Sequence, residues 1–140
     1  MKIADLMSRR VHVAGPDLDA DTAWQCMQQL HVSHLVIVDD AEHVIGLLSE
    51  RDLGGHHGED TRHGRTVRDL MAPDPTVLDP EDDVHQAAEL LRGLSLGCFP
   101  VVSGMTLVGI VTTSDLLDVL AGYEIGQSAG RRSTRLSTYE

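Results

Sequence analysis

The chain has 140 residues, 41% hydrophobic and 24% charged, a balance that suits one compact domain or two small halves sharing a core. A formal net charge of −11 excludes a basic stripe for nucleic acid or for an acidic membrane surface, and aromatics at 3% leave no stacking platform for bases or sugars. The opening MKIADLMSRR lacks the apolar run of a signal peptide, and no stretch approaches the roughly 20 residues of a membrane span, so a cytoplasmic protein is expected.

In chain order, ADLM (4–7) comes first, then a short strand around Val13. An acidic lead-in supplies Asp19, Asp21 or Thr22 as the cap of a helix whose Ala23, Cys26, Met27 and Leu30 share one face. HLVIV (34–38) and VIGLL (44–48), joined by the polar DDAEH, predict a β-hairpin. Ser49 then opens a helix that the Gly-rich, polar GGHHGEDTRHGRT (54–66) curtails, and this stretch reads as a linker.

From RDLM (68–71) the series starts again. A short strand around Val77 leads into DPEDD, where Asp79 is the expected cap and Pro80 suits a first helical turn. The second helix repeats the apolar face at Ala87, Leu90, Leu91 and Leu94, and CFPVV (98–102), SGMT and LVGIV (107–111) repeat the hairpin. Thr112 opens a last helix carrying Leu116, Val119, Leu120 and Tyr123, with Gly122 near its end. The spacing from Met7 to Met71 also separates Val13 from Val77 and Val38 from Val102, and it shortens by one residue between Gly46 and Gly109. An indel confined to a turn, with the periodic segments kept in phase, marks a duplicated fold.

The expected class is α+β: two β-α-β-β-α repeats at 1–55 and 67–123, a linker at 56–66 and a polar tail at 124–140 that frays or is held by a partner chain. Cys26 and Cys98 lack metal or redox spacing and read as buried small hydrophobes.

The repeated corner carries the chemistry. Ser49-x-x-Asp52 and Thr112-x-x-Asp115 each form a capping-box variant, which any helix start would use. The same parts suit a ribonucleotide. A carboxylate accepts hydrogen bonds from both vicinal ribose hydroxyls, while the hydroxyl residue and the free N–H groups of the corner face phosphate.

The strings ADLM…HVSHLVIVDDAEHVIGLLSERDL and RDLM…SLGCFPVVSGMTLVGIVTTSDL resemble a tandem pair of CBS domains, the Bateman module, over residues 3–122. The resemblance implies two repeats packed about a pseudo-twofold axis, with clefts that in many members bind AMP, ADP, ATP or S-adenosylmethionine, and frequent pairing into a homodimer. Carried onto this chain, it implies that Asp52 and Asp115 hold ribose hydroxyls. Ser49 and Thr112 support ribose or phosphate, and Arg51 and Ser114 lie on the phosphate side. Val13, His34, Val36, Val77, Cys98 and Pro100 line the base pockets. Pro100 stands where the family usually has proline; Val36, its counterpart, keeps an N–H that alters the pocket edge.

Other chemistry finds less support. His56, His57 and His63 with Glu59 and Asp60 have irregular spacing on a loop, so no metal site is expected. No nucleophile elbow or phosphate loop points to an enzyme. The expected function is therefore a regulatory module that senses an adenosine ligand, requires no cofactor and acts on an unidentified protein partner. The alternative is a scaffold that kept the duplicated fold without the ligand.

Overall fold

A computed structural model describes residues 1–93, 97–122 and 136–139. They fall into two compact units, and neither is one continuous stretch. Met1–Val11 folds with the described residues between 76 and 122, and His12–Pro75 folds with the strand at 136–139.

The unit built on the first hairpin contains β1 (His12–Ala14), α2 (Ala20–Leu30), β2 (His34–Val38) and β3 (Val44–Ser49). A 3₁₀ turn (Gly55–His57), α3 (Glu59–Arg62), α4 (Val67–Leu70) and β4 (Ala72–Pro73) complete the run to residue 75. Its sheet runs β4-β3-β2-β1-β7, where β7 is Leu136–Tyr139. β2 and β3 are antiparallel, as the hairpin pattern predicts, and β1 runs parallel to β2 in the register Val13↔Val36. Asp19 is the cap that α2 uses, accepting a hydrogen bond from the Thr22 N–H. Ala23, Cys26 and Met27 are buried beneath the helix, with Leu30 partly so.

The other unit holds α1 (Ile3–Leu6), α5 (Val84–Gly93), β5 (Cys98–Ser103), β6 (Thr106–Thr112) and α6 (Thr113–Leu120). Its core is Ile3, Leu6, Met7, Leu78, Val84, Ala87, Phe99, Val101, Val111 and Leu116. The pairing of the first unit recurs in reduced form: Leu78 bridges Val101 in parallel and Ser8 bridges Ile110 antiparallel.

Several expectations are corrected. The strand around Val77 shrinks to the single bridge at Leu78, and Val77 is 44% exposed where Val13 is 1% exposed. Pro100 explains this. Leu78 N–H donates to the Pro100 carbonyl, and Val102 N–H donates to the Leu78 carbonyl. Extending a parallel ladder back to residue 76 needs the N–H of residue 100, which proline lacks. Val36 has that N–H, and β1 forms.

Asp79 and Pro80 do not start the second helix. Asp79 accepts from the Glu81 N–H and its own N–H donates to Asp82, closing a turn, while the helix begins at Val84. Asp83 accepts from the His85 N–H and stands where Asp19 stands in the first repeat. On that helix Ala87 is buried but Leu90 is 41% exposed. Leu94 and Tyr123, and the side chains of Leu91 and Leu120, lie outside the described residues. Gly122 comes after the last helix at φ 84°, a left-handed position that favours glycine.

The stretch expected to be a polar linker is ordered structure, as the 3₁₀ turn and α3 show. Gly54 and Gly58 let it fold tightly. A Cβ on Gly54 would lie 2.8 Å from the Gly58 Cα, and one on Gly58 would run into the Leu53 carbonyl.

The two sequence repeats exchange their leading segments. Met7, from the start of the first repeat, packs over Gly109 of the second hairpin, and Met71, from the start of the second repeat, packs over Gly46 of the first. The Leu-Met signature and the glycine of each hairpin are thus two sides of one contact, made with the other repeat's sequence.

Candidate functional site

The two corners have the same geometry. The Ser49 N–H donates to Asp52 Oδ2 at 2.9 Å and the Asp52 N–H donates to Ser49 Oγ at 3.1 Å. The Thr112 N–H donates to Asp115 Oδ2 at 2.9 Å and the Asp115 N–H donates to Thr112 Oγ1 at 3.2 Å. Each is a reciprocal capping box that fixes its carboxylate at the end of a hairpin strand. The same box forms at Thr66 and Asp69, away from either hairpin corner, so the box alone does not mark a ligand site.

Past the box the two corners diverge. Thr112 caps a real helix, α6. After Ser49 the chain makes only a turn, with the Leu53 N–H reaching the carbonyls of Ser49 and Glu50. Asp115 is buried, whereas Asp52 is half-buried, with only its Oδ2 engaged among the described residues.

His34 pairs with Ser49 across the first hairpin, and Cys98 with Thr112 across the second, so the two occupy equivalent seats beside the corners. Their environments agree with that placement. Burial holds the His34 imidazole below its usual range, partly opposed by the charges of Asp52 and Glu50. Burial, helped by the Asp115 carboxylate, pushes the Cys98 thiol up to about 12. Both cysteines are free and buried.

Of the other sequence-predicted residues, Val13 and Val36 are buried and paired, and Pro100 is buried on β5 opposite Ile110. Val77 is exposed. Ser114 and Arg51 are exposed, and the Arg51 side chain makes no hydrogen bond or ion pair among the described residues. In a molecule of net charge −11, that is an uncommitted cation beside the first corner. No group of His, Cys, Asp or Glu among the described residues is arranged to hold a metal ion.

Sequence reasoning missed Arg62. The residue is 3% exposed although it comes from the polar stretch after the first corner. Nη1 donates to the carbonyls of Leu53 and Gly55 at 2.9 and 2.8 Å, and Nε pairs with Asp21 at 3.1 Å. The guanidinium lies 4.5 Å from the Trp24 ring centre, and His56 meets the same ring edge-on at 5.2 Å. The available signal was a single tryptophan on an acidic helix upstream of a Gly-x-x-x-Gly pair and an arginine.

The CBS domain model matches residues 3–53 and again 67–122. The chain belongs to the CBS-domain family. A CBS domain-containing protein of Dictyostelium discoideum is 28% identical over 130 residues, covering 84% of this chain and 90% of that protein. The CBS-pair protein CBSX2 of Arabidopsis thaliana, solved in complex with AMP, superposes with a TM-score of 0.76 at 27% identity over 86% of this chain and 96% of that one. The CBS pair of protein MJ0100, solved with 5′-methylthioadenosine and S-adenosyl-L-methionine, shares the fold at TM-score 0.78 and 20% identity, covering 87% and 97% of the two chains. Other relatives are longer. The chain spans 61% of full-length CBSX2, 33% of a Methanocaldococcus jannaschii protein and 24% of a Methanobrevibacter ruminantium homoserine O-acetyltransferase.

Proposed function

We propose that this CBS pair is a regulatory module that binds an adenosine-containing ligand, with AMP the best supported, through Asp52 and Asp115. The observation that carries the reading is the matched pair of corners, each holding a carboxylate at a strand end beside a hydroxyl residue. The likeness to CBSX2, solved with AMP, supports the choice of ligand. Ser49 and Thr112 with Arg51 and Ser114 take the ribose and phosphate side, and His34, Val36, Cys98 and Pro100 the base side. The acidic net charge favours AMP or S-adenosylmethionine over ATP. In this reading the module is a cytoplasmic homodimer that signals to a protein effector. A ligand bound better by one conformation shifts the population towards it, which requires no catalysis by this chain.

One observation favours a scaffold instead: both carboxylates are already employed in capping their own turns. Thermal melting of nucleotide-stripped protein separates the two readings. AMP at 100 times its dissociation constant should stabilise the protein by about 2.7 kcal/mol. Asp52→Ala and Asp115→Ala should each remove one binding event from a calorimetric titration. No stabilisation by AMP, ADP, ATP or S-adenosylmethionine in folded, stripped protein would leave the scaffold.

A further inference from the structure

At the second corner, α6 continues for two turns and its backbone N–H groups take up the carbonyls behind them. The first corner has no such helix. The Leu53 carbonyl, just past Asp52, accepts instead from Arg62 Nη1, and the Gly55 carbonyl accepts from the same nitrogen as well as from the Gly58 N–H. Arg62 reaches them from α3 and is itself held by Asp21 and the face of Trp24, both on α2. The turn that carries Asp52 is therefore tied to α2 by one buried guanidinium. A second, weaker tie runs from Gln28 of α2 to Glu50 at 3.5 Å.

We infer that Arg62 is a positioning residue for the first corner, replacing the missing helix, and that occupancy of that corner is coupled to the fit of Arg62 against Trp24. The inference rests on the proposed ligand-binding reading. Its physical basis is reciprocity: if holding the turn in place raises affinity for a ligand, the ligand tightens the hold on the turn by the same factor. Arginine is required because one planar group must donate to two carbonyls, pair with a carboxylate and stack on an indole; a lysine ammonium cannot do all four. Gly58 enters for the same reason, since a Cβ there would lie 2.8 Å from Arg62 Nη1.

The test isolates each corner. AMP is titrated calorimetrically into Asp115→Ala, which retains the first corner, and into Asp52→Ala, which retains the second. Adding Arg62→Lys should weaken AMP in the first background by about tenfold, the loss of one charge-assisted hydrogen bond, and leave the second unchanged. A purely structural role would lower the melting temperature without that split. Trp24, the chain's single tryptophan, gives a readout that needs no change at Arg62. Its emission should respond to AMP in Asp115→Ala and stay constant in Asp52→Ala. If Arg62→Lys fails to fold, Asp21→Asn, at a half-exposed position, should show a smaller loss confined to the first corner.

Equal affinities for both corners with and without Arg62→Lys would overturn the inference. So would an Asp115→Ala protein that binds no AMP, or a Trp24 signal that stays flat while heat is released at the first corner. In each case the ligand-binding reading survives if either corner still takes AMP. A wild-type protein that binds none of the adenosine ligands removes that reading and this inference together.

Discussion

His34 and Cys98 hold equivalent seats beside the two aspartates, yet they respond to pH differently. Burial lowers the His34 pKa below its usual 6.5 against the pull of Asp52 and Glu50, so the folded protein favours neutral imidazole. Between the folded value and 6.5 the unfolded chain binds more protons, which makes stability rise with pH. The His34 contribution is therefore complete above about pH 6.5 and is lost as pH falls towards the folded value. His34→Cys, which copies the second repeat, should flatten the acid side of a melting-temperature profile relative to wild type. Parallel profiles for the two proteins would show that His34 is solvated like a free imidazole. The pairing of both residues with the corners rests on a one-residue shift of register in each hairpin, between Ile37 and Val38 and between Val101 and Val102, and only their position at the strand starts was legible in the sequence. The chemistry of their surroundings was not, since burial depends on the layers above.

Both hairpins and the first long helix arise from local pattern, and the turn elements show where such pattern stops. Asp79 and Pro80 imitate a helix start, but their turn serves a distant contact, with the Pro80 carbonyl accepting from the Ala4 N–H at 2.9 Å. The spacing between repeats carries Asp19 onto Asp83, a signal that the choice of Asp79 as cap passed over. Segment exchange makes a prediction at this scale. A Cβ on Gly109 would lie 2.7 Å from Met7 Sδ and 2.9 Å from the Ser8 carbonyl oxygen, whereas the three atoms nearest to one on Gly46 all belong to the flexible Met71 side chain. Gly109→Ala should cost about 1–3 kcal/mol in urea denaturation, and Gly46→Ala distinctly less. Equal losses would mean that the Ser8 backbone gives way as readily as a methionine side chain.

At the scale of the molecule, the proposed homodimer predicts a sedimentation mass twice the 15.2 kDa of the chain. Leu90 on α5 and Leu117 on α6 are 41% and 56% exposed, and the two helices pack on each other, so they offer a place for a partner. Leu117→Glu should then give a folded monomer; a wild-type monomer would remove the homodimer from the proposal. By itself the sequence determined the duplicated α+β plan, the two hairpins and the two capped aspartates, because these rest on periodicity, turn chemistry and contacts three residues apart. The tertiary structure decided which repeat each Leu-Met segment joins, why Pro100 leaves one strand as a single bridge, and that Arg62 is an anchor within a stretch that reads as polar linker. Those outcomes depend on hydrogen bonds and packing between residues far apart in the chain, where the local pattern of charge and polarity carries no record of the partner.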